Sequence, residues 1–179
     1  MPPALWRRLR AQARTALVVP VPAAEPIIGP LRERHDPSAA AGMPAHVTVL
    51  YPFAPTRALD GRVEAELESL VSGFPPFEYR LERFGRFPGV LYLQPEPARP
   101  FVALTQTIHE RWPEYPPYEG AYDEIIPHLT VAAGPEPERA EAEIAAQLPL
   151  TTRAEELWVM TKSRGRTWVL RRALPLGGG

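Results

Sequence analysis

Twenty-four prolines in 179 residues rule out long uninterrupted helices, because each ring removes a backbone donor and collides with the preceding turn. The chain must consist of short elements joined by proline-marked loops. Enough apolar sequence remains for a core. Hydrophobic residues make up 45% and charged residues 23%, the balance of a globular chain of about one domain.

The elements come in a repeated order. Residues 15–22 (TALVVPVP) form a β-branched run closed by prolines, and a short helix at 26–34 carries Ile27, Ile28 and Leu31 on one side. A strand follows at 46–53 (HVTVLYPF). Asp60 then suits a helix N-cap, Val63, Leu67, Leu70 and Val71 fall at helical spacing, and Gly73 closes that helix. Segments 77–84 and 90–94 read as a hairpin around Arg86, Pro88 and Gly89.

The series then restarts. Residues 90–95 resemble the first strand, and Phe101, Leu104, Ile108 and Trp112 mark a helix. A strand at 128–132 (HLTVA), a helix from Pro137 and a closing hairpin over 156–161 and 167–174 complete it. This order predicts an α+β fold over residues 1–179: a single two-lobed domain built from a duplicated unit. Pseudo-twofold symmetry then gives antiparallel sheets lining a central cleft, with helices on the outside. The N-terminal stretch at 6–14 (WRRLRAQAR) reads as a short basic helix or arm, and the terminal glycines as frayed.

Each half contains one His-x-Thr strand, at 46–49 and 128–131, and each is preceded by proline within two residues. Side chains alternate along a strand, so His46 and Thr48 share one face while Val47 and Val49 lie on the other. His128 and Thr130 repeat the arrangement, with Leu129 and Val131 behind them. Each motif therefore offers an imidazole beside a hydroxyl on a rigid platform. That pairing suits displacement at phosphorus. One imidazole takes a proton from water, the other gives one to the departing oxygen, and the hydroxyls donate to the phosphate oxygens. Histidine of ordinary pKa, about 6.5, serves both tasks and places both limbs of the pH–rate profile near neutrality.

The segments PAHVTVLYPF and PHLTVA resemble the paired signature of the two-histidine phosphoesterase superfamily. This group contains bacterial 2′-5′ RNA ligase-like proteins and RNA 2′,3′-cyclic phosphodiesterases. The resemblance runs over about residues 15–174 and implies a bilobal fold with hydrolysis of cyclic phosphates to phosphomonoesters. It makes His46 and His128 the acid–base pair and Thr48 and Thr130 the phosphate holders, with His128 positioning the water and His46 protonating the leaving ribose oxygen. The implied partner is a nucleotide or RNA end carrying a cyclic phosphate. No cofactor and no metal are expected, since His35 and His109 make no ligand pattern with either motif. Both are expected to be solvated.

Further residues are candidates for the rim. Tyr115, Tyr118 and Tyr122, in the loop at 113–127, can stack on a base or pack the loop onto its own lobe. Lys162, Arg164 and Arg166 at the last hairpin, and Arg86 at its counterpart, can border the cleft and attract a phosphate, although a solvated turn is the better reading for any single one of them. Tyr51 and Phe53 continue the buried face of their strand and are expected in the core.

Other functions are disfavoured. The net charge of −1 argues against coating long nucleic acid, but leaves room for a single nucleotide. Without cysteine there is no disulfide, thiolate metal site or cysteine nucleophile. Without a leader or long apolar run, the expectation is a cytoplasmic monomer with no membrane partner. An ATP-dependent ligase needs a nucleophilic lysine before x-Asp-Gly, yet the only lysine, Lys162, precedes Ser163-Arg164-Gly165, and no Gly-Lys-Ser/Thr loop exists. Ligation would have to be ATP-independent reversal of cleavage at the same histidines. A non-catalytic module binding an RNA end or nucleotide is the remaining alternative, though a pure binder has no need of two proton-transfer groups.

Overall fold

Short elements between proline loops are what the chain forms. The structure, a computed structural model, describes residues 15–134, 137–162 and 167–177. The expected basic arm at 6–14, Arg164, Arg166 and the last two glycines lie outside the described residues. In order come β1 (Thr15–Pro20), α1 (Glu25–His35), α2 (Pro37–Ala40), β2 (His46–Leu50) and α3 (Gly61–Ser72). Then follow β3 (Phe77–Phe87), β4 (Val90–Glu96), α4 (Arg99–Arg111), β5 (Leu129–Ala133) and α5 (Pro137–Ile144). The strands β6 (Leu150–Ala154), β7 (Glu156–Lys162) and β8 (Trp168–Pro175) close the chain.

Local chemistry explains the helix boundaries. Asp60 caps α3 by accepting from the backbone N–H groups of Arg62 and Val63, and Gly73 ends that helix. Asp36 ends α1 and begins α2, accepting from the N–H of Ser38.

The eight strands form one antiparallel sheet in the order β6-β3-β4-β5-β2-β1-β7-β8. The two His-x-Thr strands, β2 and β5, meet at its centre. Outward from them lie β1 and β4, then β7 and β3, then β8 and β6, so the two halves of the sheet correspond. Each half of the sequence lends its closing strands to the other half of the sheet. β3 pairs with β4, and β7 pairs with β1. The edge strand β6, which pairs with β3, was not anticipated. The strand is only five residues long, three of them polar (Leu-Thr-Thr-Arg-Ala), and five residues, 145–149, separate it from the end of α5.

The helices cover one face. Val47, Val49, Leu129 and Val131 pack there with Ile28 and Leu31 of α1, Leu67 and Val71 of α3, and Leu104 and Ile108 of α4. Ala140 and Ile144 of α5 complete this main core. Each fully buried leucine or isoleucine contributes about 2 kcal/mol from area removed from water. A second, smaller cluster of Ala16, Val18, Met43, Met160 and Trp168 is separate from the main core.

Candidate functional site

The seam between the half-sheets is narrow. β2 and β5 share the single register pair Val47 with Leu129. Counting outward along antiparallel strands sets His46 opposite Thr130 and Thr48 opposite His128, distances at which cross-strand side chains interact. Val47 and Leu129 are fully buried on the helix side. The four polar residues are half-buried on the opposite face, as alternation requires. His128 lies one residue before β5 begins and not within it.

Both rings are held in the same way. His46 Nδ1 lies 2.7 Å from the carbonyl oxygen of Pro44, and His128 Nδ1 lies 2.8 Å from that of Ile126. A carbonyl only accepts, so in each ring Nδ1 carries the hydrogen and donates. Each neutral imidazole therefore keeps a lone pair on Nε2. Burial pushes the pKa of His46 down to about 4. The Pro44 bond opposes this, the Arg32 guanidinium adds to it, Asp36 opposes it, and His128 itself adds to it. The His128 pKa is also lowered by burial, with the Ile126 bond opposing.

The two sides differ in their walls. Beside His46 and Thr48 is a cavity of about 330 Å³ lined by Ser38, Met43, Tyr51, Lys162 and Trp168. The Lys162 ammonium sits 5.2 Å from the centre of the Trp168 ring, and Tyr51 meets that ring edge-on. Below it, the buried Arg32 donates through Nε and Nη2 to Asp36 Oδ2 at 3.0 and 2.9 Å. Asp36 Oδ1 accepts from the hydroxyl and N–H of Ser38. Burial alone would raise the Asp36 carboxyl, but the Ser38 bonds and the Arg32 charge outweigh it and hold the pKa below the ordinary value. On the other side, Phe87 stacks on Tyr92 with ring centroids 4.4 Å apart, and His128 stands edge-on to Phe87 at 5.0 Å.

Two expected rim residues, Arg86 and Tyr115, lie elsewhere. Arg86 forms an ion pair with Glu141 of α5 at 2.6 Å, on the helix side. In β3, Gly85 and Phe87 face the cleft, so alternation turns Arg86 away. Tyr115 packs edge-on against Phe53 in the core, the second of its two readings. Tyr118 bonds to the backbone of Ile126, and Tyr122 is 73% exposed. Lys162 lines the His46 cavity. Phe53 is buried, but Tyr51 is a correction: β2 ends at Leu50, so alternation no longer applies, and Tyr51 turns into the cleft. His35 is exposed, whereas His109 is only half-exposed, and its Nδ1 is buried without a hydrogen-bond partner.

Sequence reasoning missed Met43, Trp168, Phe87, Tyr92 and the Arg32–Asp36–Ser38 network. Gly85 carried a usable signal, since a Cβ there would lie 2.3 Å from the Tyr92 ring opposite it. Glycine at that place is what lets the ring lie flat across β3. Among the described residues, no group of three or more His, Cys, Asp or Glu could hold a metal ion, and no helix is long and apolar enough to cross a membrane.

The fold is shared with solved structures. The structure is similar to E. coli LigT complexed with 3′-AMP, with a TM-score of 0.57 and 18% identity, covering 92% of this chain and 98% of that one. It is similar to TT0787 of Thermus thermophilus, with a TM-score of 0.60, 20% identity and the same coverage. At these identities the likeness concerns the fold. In sequence the chain is 30% identical over 108 residues to a Bacillus pumilus (strain SAFR-032) protein provisionally described as a phosphoesterase. That match spans 56% of this chain and 58% of the relative. The model of the 2′-5′ RNA ligase superfamily matches residues 19–166, a span that takes in both His-x-Thr strands and the central seam, and the chain belongs to that superfamily.

Proposed function

We propose that the protein is a metal-independent phosphodiesterase that opens 2′,3′-cyclic phosphates on a nucleotide or RNA end. The observation that carries this reading is the matched tautomer. Both histidines donate Nδ1–H to a carbonyl two residues back, which leaves two Nε2 atoms for proton transfer on one face. A phosphorus centre between them meets a base on one side and an acid on the other. Water attacks phosphorus, His128 Nε2 takes its proton, and a new P–O bond forms. The P–O bond to the ribose oxygen breaks, and His46, protonated in the productive state, gives that oxygen its proton. Thr48 and Thr130 donate to the non-bridging oxygens, where charge accumulates. The product is a phosphomonoester; with a 5′-hydroxyl of a second strand attacking the cyclic phosphate in place of water and the 3′-oxygen leaving with the proton from the acid, the same transfers form a 2′-5′ link without ATP.

The complex of the LigT neighbour with 3′-AMP supports a nucleotide ligand. The aromatic walls on both sides of the seam suit a base, and Lys162 suits an anionic group at the rim. The test is a screen of 2′,3′-cyclic mononucleotides and cyclic-phosphate RNA ends in EDTA and without ATP, with the product read by phosphorus NMR. A single phosphomonoester is expected. Turnover that chelator abolishes and a divalent ion restores would contradict the reading.

A further inference from the structure

The segment leading into the second His-x-Thr strand has no sheet to hold it. Residues 125–128 lie outside β5, and Pro127 has no N–H to offer. The backbone of Ile126 needs partners, and one side chain supplies both. The Tyr118 hydroxyl donates to the Ile126 carbonyl at 3.1 Å and accepts from the Ile126 N–H at 3.2 Å. The same carbonyl accepts from His128 Nδ1 at 2.8 Å. A carbonyl has two lone pairs, so the two bonds are compatible.

Tyr118 is held there at a conformational cost. Tyr118 and Glu119 both adopt left-handed backbone, with φ of 53° and 57°, and Gly120 follows at 76°. Two consecutive non-glycine residues rarely take this conformation, and such strain persists where the surrounding structure demands it. The exposed Tyr122 ring meets Tyr118 edge-on at 5.8 Å. The first half solves the same problem differently. Ala45, between Pro44 and His46, is held by Glu25 Oε1 on its N–H at 2.5 Å and by the Val21 N–H on its carbonyl at 2.8 Å. Both histidines are thus approached through a pinned backbone unit, and Tyr118 is the pin in the second.

We propose that Tyr118 is the positioning residue of His128: its hydroxyl fixes the Ile126 carbonyl, and the fixed carbonyl sets the tautomer and orientation of the His128 ring. The assignment rests on His128 acting as described above. Tyr118 touches neither phosphate nor water in this role. Burial raises the pKa of its phenol, with the Ile126 bond opposing, so the hydroxyl keeps the proton it must donate.

The experiment is Tyr118→Phe, which keeps the ring and removes the clamp. Steady-state kinetics on a 2′,3′-cyclic mononucleotide and 15N NMR of the histidine side chains are measured on the same full-length protein. The expected result is a fall in kcat of about tenfold, the size of one lost hydrogen bond acting on the barrier, with KM within about twofold. The His128 ring should shift from the Nδ1–H form to a mixture of tautomers, while His46 keeps its own. Unchanged kcat overturns the proposal, as does a fall in kcat with the His128 tautomer intact. A rise in KM alone also overturns it and makes Tyr118 a substrate contact. Should Tyr118→Phe not fold, Tyr118→Met, which also lacks a hydrogen-bonding hydroxyl, is measured by the same readouts and judged against the same outcomes. His128→Ala separates the two ideas. If it is inactive while Tyr118→Phe matches the parent, the clamp fails and the reading of His128 stands; if His128→Ala turns over at the parental rate, that reading fails as well.

Discussion

Val47 pairs with Leu129 across the middle of the sheet, and this one register pair sets each motif's histidine opposite the other motif's threonine. The hydroxyl that neighbours His46 across the seam, Thr130, thus comes from the second half of the chain. Thr48→Val and Thr130→Val keep shape and lose the donor. Each should weaken binding of a 2′-phosphate product by about tenfold, one hydrogen bond to a charged group, as read by calorimetry. Unchanged affinity in both would remove the threonines from the phosphate site.

The pH dependence follows from the buried rings. On the proposed mechanism, turnover by free enzyme needs one imidazole charged and one neutral, so kcat/KM should be bell-shaped. From the residue type alone both limbs belong near neutrality. Burial lowers both pKa values, which moves the bell to the acid side of 6.5, with one limb near 4. Stability follows the same shift. The His46 pKa is below its unfolded value, so the unfolded chain binds more protons between about 6.5 and 4. Stability is therefore complete above 6.5 and declines as pH falls through that window. Urea unfolding from pH 7.5 to pH 4 should show the decline, and His46→Asn should flatten it.

Arg32 and Asp36 form a buried ion pair beneath the His46 cavity. Removing one member strands the other charge. Asp36→Ala should cost about 3 kcal/mol or more in urea unfolding, whereas an Arg32→Met, Asp36→Leu double variant should cost less than the single change. Equal losses in the two proteins would show that the pair's charge is already compensated by Ser38.

Gly85 lies under the Tyr92 ring. Gly85→Ala must displace that ring, and with it the Phe87 wall against which His128 stands. The expected cost is about 1–3 kcal/mol of stability, since the ring is packed on both sides. Turnover should fall while affinity at the His46 cavity is kept, as read by melting temperature and product binding.

The order of elements, the strand faces and the histidine pair were legible because they rest on local signals: proline punctuation, period-two alternation and a repeated motif. The face of Val47 and Val49 followed from alternation alone. What escaped depends on long-range pairing. Trp168 reaches the cavity because β8 joins the sheet beyond β7, and its backbone N–H is bonded to the Ala41 carbonyl. Tyr51 was misplaced because alternation was extended past the end of β2. The charge of Arg86 makes it only a candidate for the cleft, while its partner Glu141 lies on a helix far along the chain. Tyr118 was read for its ring, and its hydroxyl turned out to be the atom with partners.

The central claim is that two imidazoles share one displacement at phosphorus. Single-turnover hydrolysis of a 2′,3′-cyclic mononucleotide by His46→Ala, His128→Ala and the double variant tests it most directly. Each single change should slow the step by about a hundredfold or more, within the range for lost acid–base catalysis. The double variant should be little slower than either, because the two groups act on one event. Binding of the phosphomonoester product should weaken far less than turnover. Parental rates in both single variants would contradict the account.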